Sequence, residues 1–150
     1  MDLQQVLRYD DWANREALAT LNRGNAPSQA IGILAHIIAV NRLWLSRAVG
    51  EPCSESMWPV WPLTTIEAEI RSCFSRWETR LRAGHIDQEC DRVDYNNSKG
   101  EQCSNNLEEL LELLCHSAHH RGQIALLLRQ NGSVPAASTD FIPTLRARCF

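Results

Sequence analysis

Residues 115–130 read CHSAHHRGQIALLLRQ, and the histidines at 116, 119 and 120 stand in an otherwise largely apolar run. Each helical residue advances by about 100°, so His120 would lie about 40° from His116 and His119 about 60° away on the other side. Leu110, Leu113, Ile124, Leu127 and Leu128 gather on the His120 side, whereas Glu108, Glu112, Gln123 and Gln130 gather around His119. The spacing therefore predicts His116 and His120 on the edge of a buried face and His119 turned to solvent. Two imidazoles at i and i+4 can aim ring nitrogens at one point, which is why helical metal sites use this spacing.

A third ligand must come from elsewhere, and only His36 and His85 remain. His85 follows Gly84 in an expected loop. His36 sits beside Ile33, Val40 and Trp44 in a long apolar segment, on the edge of its stripe, and is the better candidate. A single histidine on an apolar face is more often a hydrogen-bonded core residue; the coincidence of three favours a metal site. A zinc-protease motif is excluded because Ser117 stands where the general-base Glu would follow His116. A carboxylate-bridged di-iron site is excluded because Leu113 and Ser117 occupy the positions three before the two histidines, where that motif needs Glu. What remains is one divalent ion on His36, His116 and His120 with an open position, an arrangement suited to catalysis but lacking a built-in base. Zinc and nickel come first as the ion, and iron and manganese accept imidazole too. No residue is assigned a catalytic role.

Neighbouring residues have their own expectations. Arg121 lies about 100° from His120, toward the packing side, and a buried arginine needs a carboxylate such as Asp10 or Asp11. That pairing is favoured over a substrate-anion role. Gly122 costs a mid-helix position about 1 kcal/mol relative to Ala, which points to close packing against another helix. Trp12, Trp44 and Trp77, set among aliphatic residues, read as core.

These side chains need helices to position them. Apolar positions Leu3, Val6, Leu7, Ala13, Ala17 and Leu21 predict a helix over 2–21, ended by NRGNAP. The segment from Ser28 to Val49 is apolar on most sides and ends at Gly50 and Pro52, which predicts a buried second helix. GEPCSESMWPVWPL follows; its prolines exclude regular structure, and its two tryptophans are expected to close the end of the core rather than form a lid. Thr64 and Glu67 form a capping-box pattern at the start of a third helix running to about Ala83 and stopping at Gly84. DRVDYNNSKGEQCS fits a small hairpin or an extended loop. A fourth helix is expected from about Asn105, with Glu108 completing a second capping box, to Asn131, and the tail adds a turn or two. The fold class is all-α, a four-helix bundle whose interior sites are built from facing helices.

With 150 residues, 44% hydrophobic and 22% charged, the chain has the composition of one globular domain spanning 1–150. A net charge of -3 without a basic stripe argues against nucleic acid as a partner. No apolar run is expected to reach the roughly 18 residues of a membrane span, and the acidic, amphipathic N-terminus is unlike a signal peptide, so a cytoplasmic location is expected. Cys53, Cys73, Cys90, Cys103, Cys115 and Cys149 include no C-x-x-C pair and read as reduced thiols. Cys115 adjoins His116, but adjacent helical positions cannot both face one site.

YDDWANREAL at Tyr9–Leu18, LAHIIAVNRLWLSR at Leu34–Arg47, VDYNNSKGE and HSAHHRGQI at His116–Ile124 together resemble, in this order, the segments of the DinB-like, or YfiT-like, family of metal-dependent four-helix bundle proteins. The resemblance implies metal ligation by His36, His116 and His120 and a homodimer. It also implies activities such as metal-dependent transfer of low-molecular-weight thiols to electrophiles or thiol-dependent isomerisation of maleylpyruvate. The chain departs from the family pattern at Asn41, where an acidic residue is frequent, and in the tryptophan-proline loop at 58–62. A thiol S-transferase acting on a small-molecule substrate is the leading expectation. A non-catalytic metal-binding bundle acting through a partner, or a metal-dependent hydrolase, is the alternative.

Overall fold

The computed structural model describes residues 3–83, 92–106 and 112–141. Its elements run α1 (Leu3–Leu21), α2 (Ser28–Val49), α3 (Leu63–Ala83), β1 (Arg92–Asn96), β2 (Gln102–Asn106) and α4 (Glu112–Gln130). The expected stop at Gly84, His85, Cys90, Leu110, the Glu108 cap, Cys149 and any helical turn beyond Phe141 lie outside the described residues.

Among the described residues the helices form a bundle in which α2 packs on α3 and α4 and α1 packs on the same two; α1 touches α2 little, and α3 and α4 touch least. The core is centred on α2, whose Leu34, Ala35, Ile37 and Leu45 are wholly buried. Around its first half pack Leu18 and Leu21 of α1, Ile66 and Ile70 of α3, and Ile124 and Leu128 of α4. Leu45 leads a second cluster with Trp77, Leu113 and Val93 of the hairpin. By length and composition α2 meets the requirement for a membrane span, although polar residues interrupt its apolar run; more than half of that stretch is buried inside the bundle, as in a core helix.

Helix ends follow the glycines. Gly50 adopts φ 71°, its N–H donates to the Arg47 carbonyl, and the next N–H, of Glu51, reaches back to Ser46. This is the paired bonding of a Schellman cap, and it depends on a left-handed residue that glycine adopts without strain. Gly132, at φ 63°, ends α4 in the same way: its own N–H bonds Arg129 and that of Ser133 bonds Leu128.

Two starts differ from the sequence reading. The Pro62 carbonyl accepts the N–H groups of Thr65 and Ile66, so Pro62 is the cap and Thr64 is already inside α3, which rules out the Thr64–Glu67 capping box. Asn105 does not begin a helix; it lies in β2 opposite Val93. The hairpin pairs antiparallel from Arg92 with Asn106 to Asn96 with Gln102, and Asn97 Oδ1 closes its turn by accepting the N–H groups of Lys99 and Glu101. Buried Val93 and an edge-to-face contact of Tyr95 with Trp44, 5.0 Å between centroids, hold the hairpin to the bundle. Trp77 is fully core as expected, while Trp12 and Trp44 are half-buried.

A candidate metal centre between two helices

On α4 the buried stripe runs through Leu113, Ser117, Arg121, Ile124 and Leu128, three or four residues apart. His116 and His120 fall beside this stripe and are half-buried, and His119 is exposed, as the helical arithmetic predicts. His36 of α2, 8% exposed, faces them across the α2–α4 contact. Ring centroids of His36 lie 5.1 Å from His116 and 4.8 Å from His120, and those of the α4 pair 4.5 Å apart. One nitrogen from each ring falls within 4.8 Å of the others, a spread that small side-chain rotations close around one ion. Among the described residues this cluster contains no Asp, Glu or Cys.

The hydrogen bonds prepare the rings for a cation. His36 Nδ1 lies 2.6 Å from the Met57 carbonyl, which can only accept, so that nitrogen carries the proton and Nε2 keeps its lone pair. His120 Nδ1 lies 2.7 Å from Gln123 Oε1 in the same relation. His116 Nδ1 is buried without a partner among the described residues, a state that costs free energy and that a bound ion would relieve. Burial pushes the His116 pKa down to about 4, with His120, His36 and His119 adding to the effect, and burial likewise lowers that of His36. Both rings are neutral at neutral pH, the form that binds metal. The three imidazoles thus make a donor set that can hold a divalent ion.

The middle of the α4 stripe is polar, and α1 supplies partners for part of it, while Arg121 Nε and Nη2 have none among the described residues. Arg121 Nη1 donates to Asp10 Oδ1 at 2.7 Å and to Asn14 Oδ1 at 2.8 Å; Ser117 and the Asn14 amide donate to Asp10 Oδ2 at 3.2 and 3.0 Å. All four residues are buried. The expected carboxylate partner is therefore Asp10, while Asp11 pairs with Arg15 nearer the surface. Ser117 and Asn14 escaped the sequence reading, although Ser117, four residues before Arg121, is on the stripe that the leucines define. The Met57 carbonyl, a backbone group in an irregular loop, has no side-chain signature to find.

Other expectations resolve singly. A Cβ on Gly122 would meet nothing within 4 Å and the residue is exposed, so the close packing inferred for it is wrong; nothing else in the structure explains this glycine. Asn41 is buried with its amide donating to the Ile37 carbonyl at 3.3 Å. Cys115 is exposed and outside the histidine cluster. Cys73 is buried, and burial raises its thiol to about 12, which leaves it unreactive at neutral pH.

The tryptophan loop divides its labour. Trp61 packs on the core, with the Arg42 guanidinium 5.7 Å from its ring centre. Trp58 instead lies flat on His36, 3.7 Å between centroids and 2° between planes, although it is 58% exposed. The expectation that both rings close the core holds for Trp61; Trp58 covers the histidine cluster. Trp58→Ala should therefore release a bound ion to excess chelator several-fold faster than wild type, while stability falls by only about 0.5–1.5 kcal/mol, the scale of one ring stack. An unchanged release rate would mean that the indole shields nothing.

The family model described as the DinB family matches residues 5–146, a span that includes all three histidines and the α1 residues that anchor α4. No match was found among the curated proteins or among the solved structures. With that match covering nearly the whole length and the helices, hairpin and histidines falling in the expected order, the chain belongs to the DinB family.

Proposed function

We propose that this chain is a metal-dependent enzyme that holds a divalent ion on His36, His116 and His120 and transfers a low-molecular-weight thiol to an electrophile. The observation that carries the reading is the cluster itself: three imidazoles, one with an unpartnered buried nitrogen, and no carboxylate among the described residues of the set. Hydrolysis by water attack needs a base to take the proton, and Ser117 stands where a protease would have one. A bound divalent ion supplies a Lewis-acidic position at which a thiol of free pKa about 8.5 is deprotonated at neutral pH. The chain's part is to keep His36 and His116 neutral through burial, to aim His36 and His120 through the Met57 and Gln123 acceptors, and to screen the position from water with Trp58. In the transfer a carbon–sulfur bond forms, the carbon–halogen bond of an aromatic halide breaks, and halide leaves with the proton that the thiol gave up.

Protein loaded in turn with zinc, nickel, iron or manganese should conjugate glutathione, or a bacillithiol-like or mycothiol-like thiol, to an aromatic halide or an epoxide, and chelation should abolish the activity. Metal-dependent hydrolysis of esters or amides with no thiol requirement would replace this reading with a hydrolase. Stoichiometric metal with no turnover for any pair would replace it with a non-catalytic metal-binding bundle.

A further inference from the structure

Gln123 touches two histidines with the two ends of one amide. Its Oε1 lies 2.7 Å from His120 Nδ1 and its Nε2 lies 3.2 Å from His119 Nε2. Residues 119, 120 and 123 share one surface of α4, three and four positions apart, so a single extended glutamine spans both rings. An amide has a donor end and an acceptor end, and rotation by half a turn exchanges them. With oxygen toward His120, that ring must hold its proton on Nδ1 and leave Nε2 bare; the NH2 then faces His119, which must accept at Nε2 and carry its own proton on Nδ1. With the amide reversed, both rings hold the opposite tautomer, and the His120 proton sits on Nε2, where it blocks a cation.

We infer that Gln123 is a positioning residue that couples the tautomer of His120 to that of His119, so that occupation of the metal site is written onto an exposed histidine outside the ligand set. The inference rests on His120 Nε2 being a ligand. It assigns a purpose to a half-buried glutamine and an exposed histidine that the cluster alone does not use. Carboxylates and carbonyls behind ligating histidines act in the same sense, and their loss weakens metal binding by about 10–100-fold. A glutamine differs from them in being reversible, which makes its far contact matter.

Nitrogen-15 chemical shifts of the histidine rings, recorded without metal and with zinc, test this. In wild type without metal the two rings should exchange together between the paired tautomers, and zinc should fix both His120 and His119 in the Nδ1–H form. In Gln123→Leu, zinc should leave the His119 tautomer unchanged and bind about 10–100-fold more weakly by chelator competition. Gln123→Glu should recover the affinity, because a carboxylate accepts from His120 Nδ1 whatever His119 does, but not the response of His119. Zinc that shifts His120 while His119 stays fixed in wild type would overturn the coupling. Zinc that leaves the ring shifts of His36, His116 and His120 all unchanged would instead overturn the metal reading beneath it.

Discussion

His36→Ala is expected to remove stoichiometric metal from the protein, weakening binding by more than the roughly 100-fold that loss of an outer hydrogen-bonding partner costs. The α4 pair would remain, its centroids 4.5 Å apart, but two imidazoles on one helix leave half of a tetrahedral ion to water. His116→Ala and His120→Ala should behave alike, whereas His119→Ala and His85→Ala should keep a full complement at saturating metal. Elemental analysis after dialysis reads the result directly, and the rise in melting temperature on adding metal should vanish with it. Because His36 is buried against Met57 and Trp58, each variant also needs a far-ultraviolet spectrum to show that the helices persist. Full occupancy in a folded His36→Ala protein would mean that α2 contributes no ligand.

Asp10→Ala should cost about 3–5 kcal/mol of stability, the usual result of stripping one partner from a buried ion pair. The Arg121 side chain is 6% exposed, and without Asp10 it keeps only the Asn14 oxygen. Ser117 and the Asn14 amide lose their acceptor in the same step. Asp10→Asn retains the shape and one acceptor, so it should fall between. The control is next door: Asp11 pairs with Arg15, whose side chain is 40% exposed, and Asp11→Ala should cost less than about 1 kcal/mol. Urea unfolding of the three variants separates these outcomes, and equal losses at Asp10 and Asp11 would show that the buried pair has no special weight.

The three clustered histidines are legible in the sequence because helical geometry is rigid: once His116 and His120 are placed on a 3.6-residue repeat, the leucines around them decide which way they point. The bounds of α2 are legible for a similar reason, since Gly50 is a chemical stop that needs no distant partner. Errors arise where a distant or competing element decides. Asn105 reads locally as a cap, yet cross-strand pairing with Val93 claims it for the hairpin. Thr64 to Glu67 has the capping pattern, but Pro62, with φ fixed by its ring, starts the helix sooner. Gly122 misleads because its cost in a helix suggests an offsetting gain in packing, and the space beside it is open. Local pattern narrows the partner of Arg121 to two aspartates; choosing between them requires the rotation of α1 against α4, which no local pattern encodes.

The adjacency of His120 and Arg121 has a mechanical consequence. A stripe made only of leucine and isoleucine can slip by a turn and still find apolar neighbours, so oil alone leaves a helix free to choose among several phases. Arg121 has one socket, formed by Asp10 and Asn14, and sliding α4 by a single residue would turn it about 100° away from that socket. The same slip would swing His116 and His120 off His36. The ion pair therefore serves as an alignment key cut one notch from the histidine pair, and anyone recasting this helix to carry other side chains at 116 and 120 should leave that key in its lock.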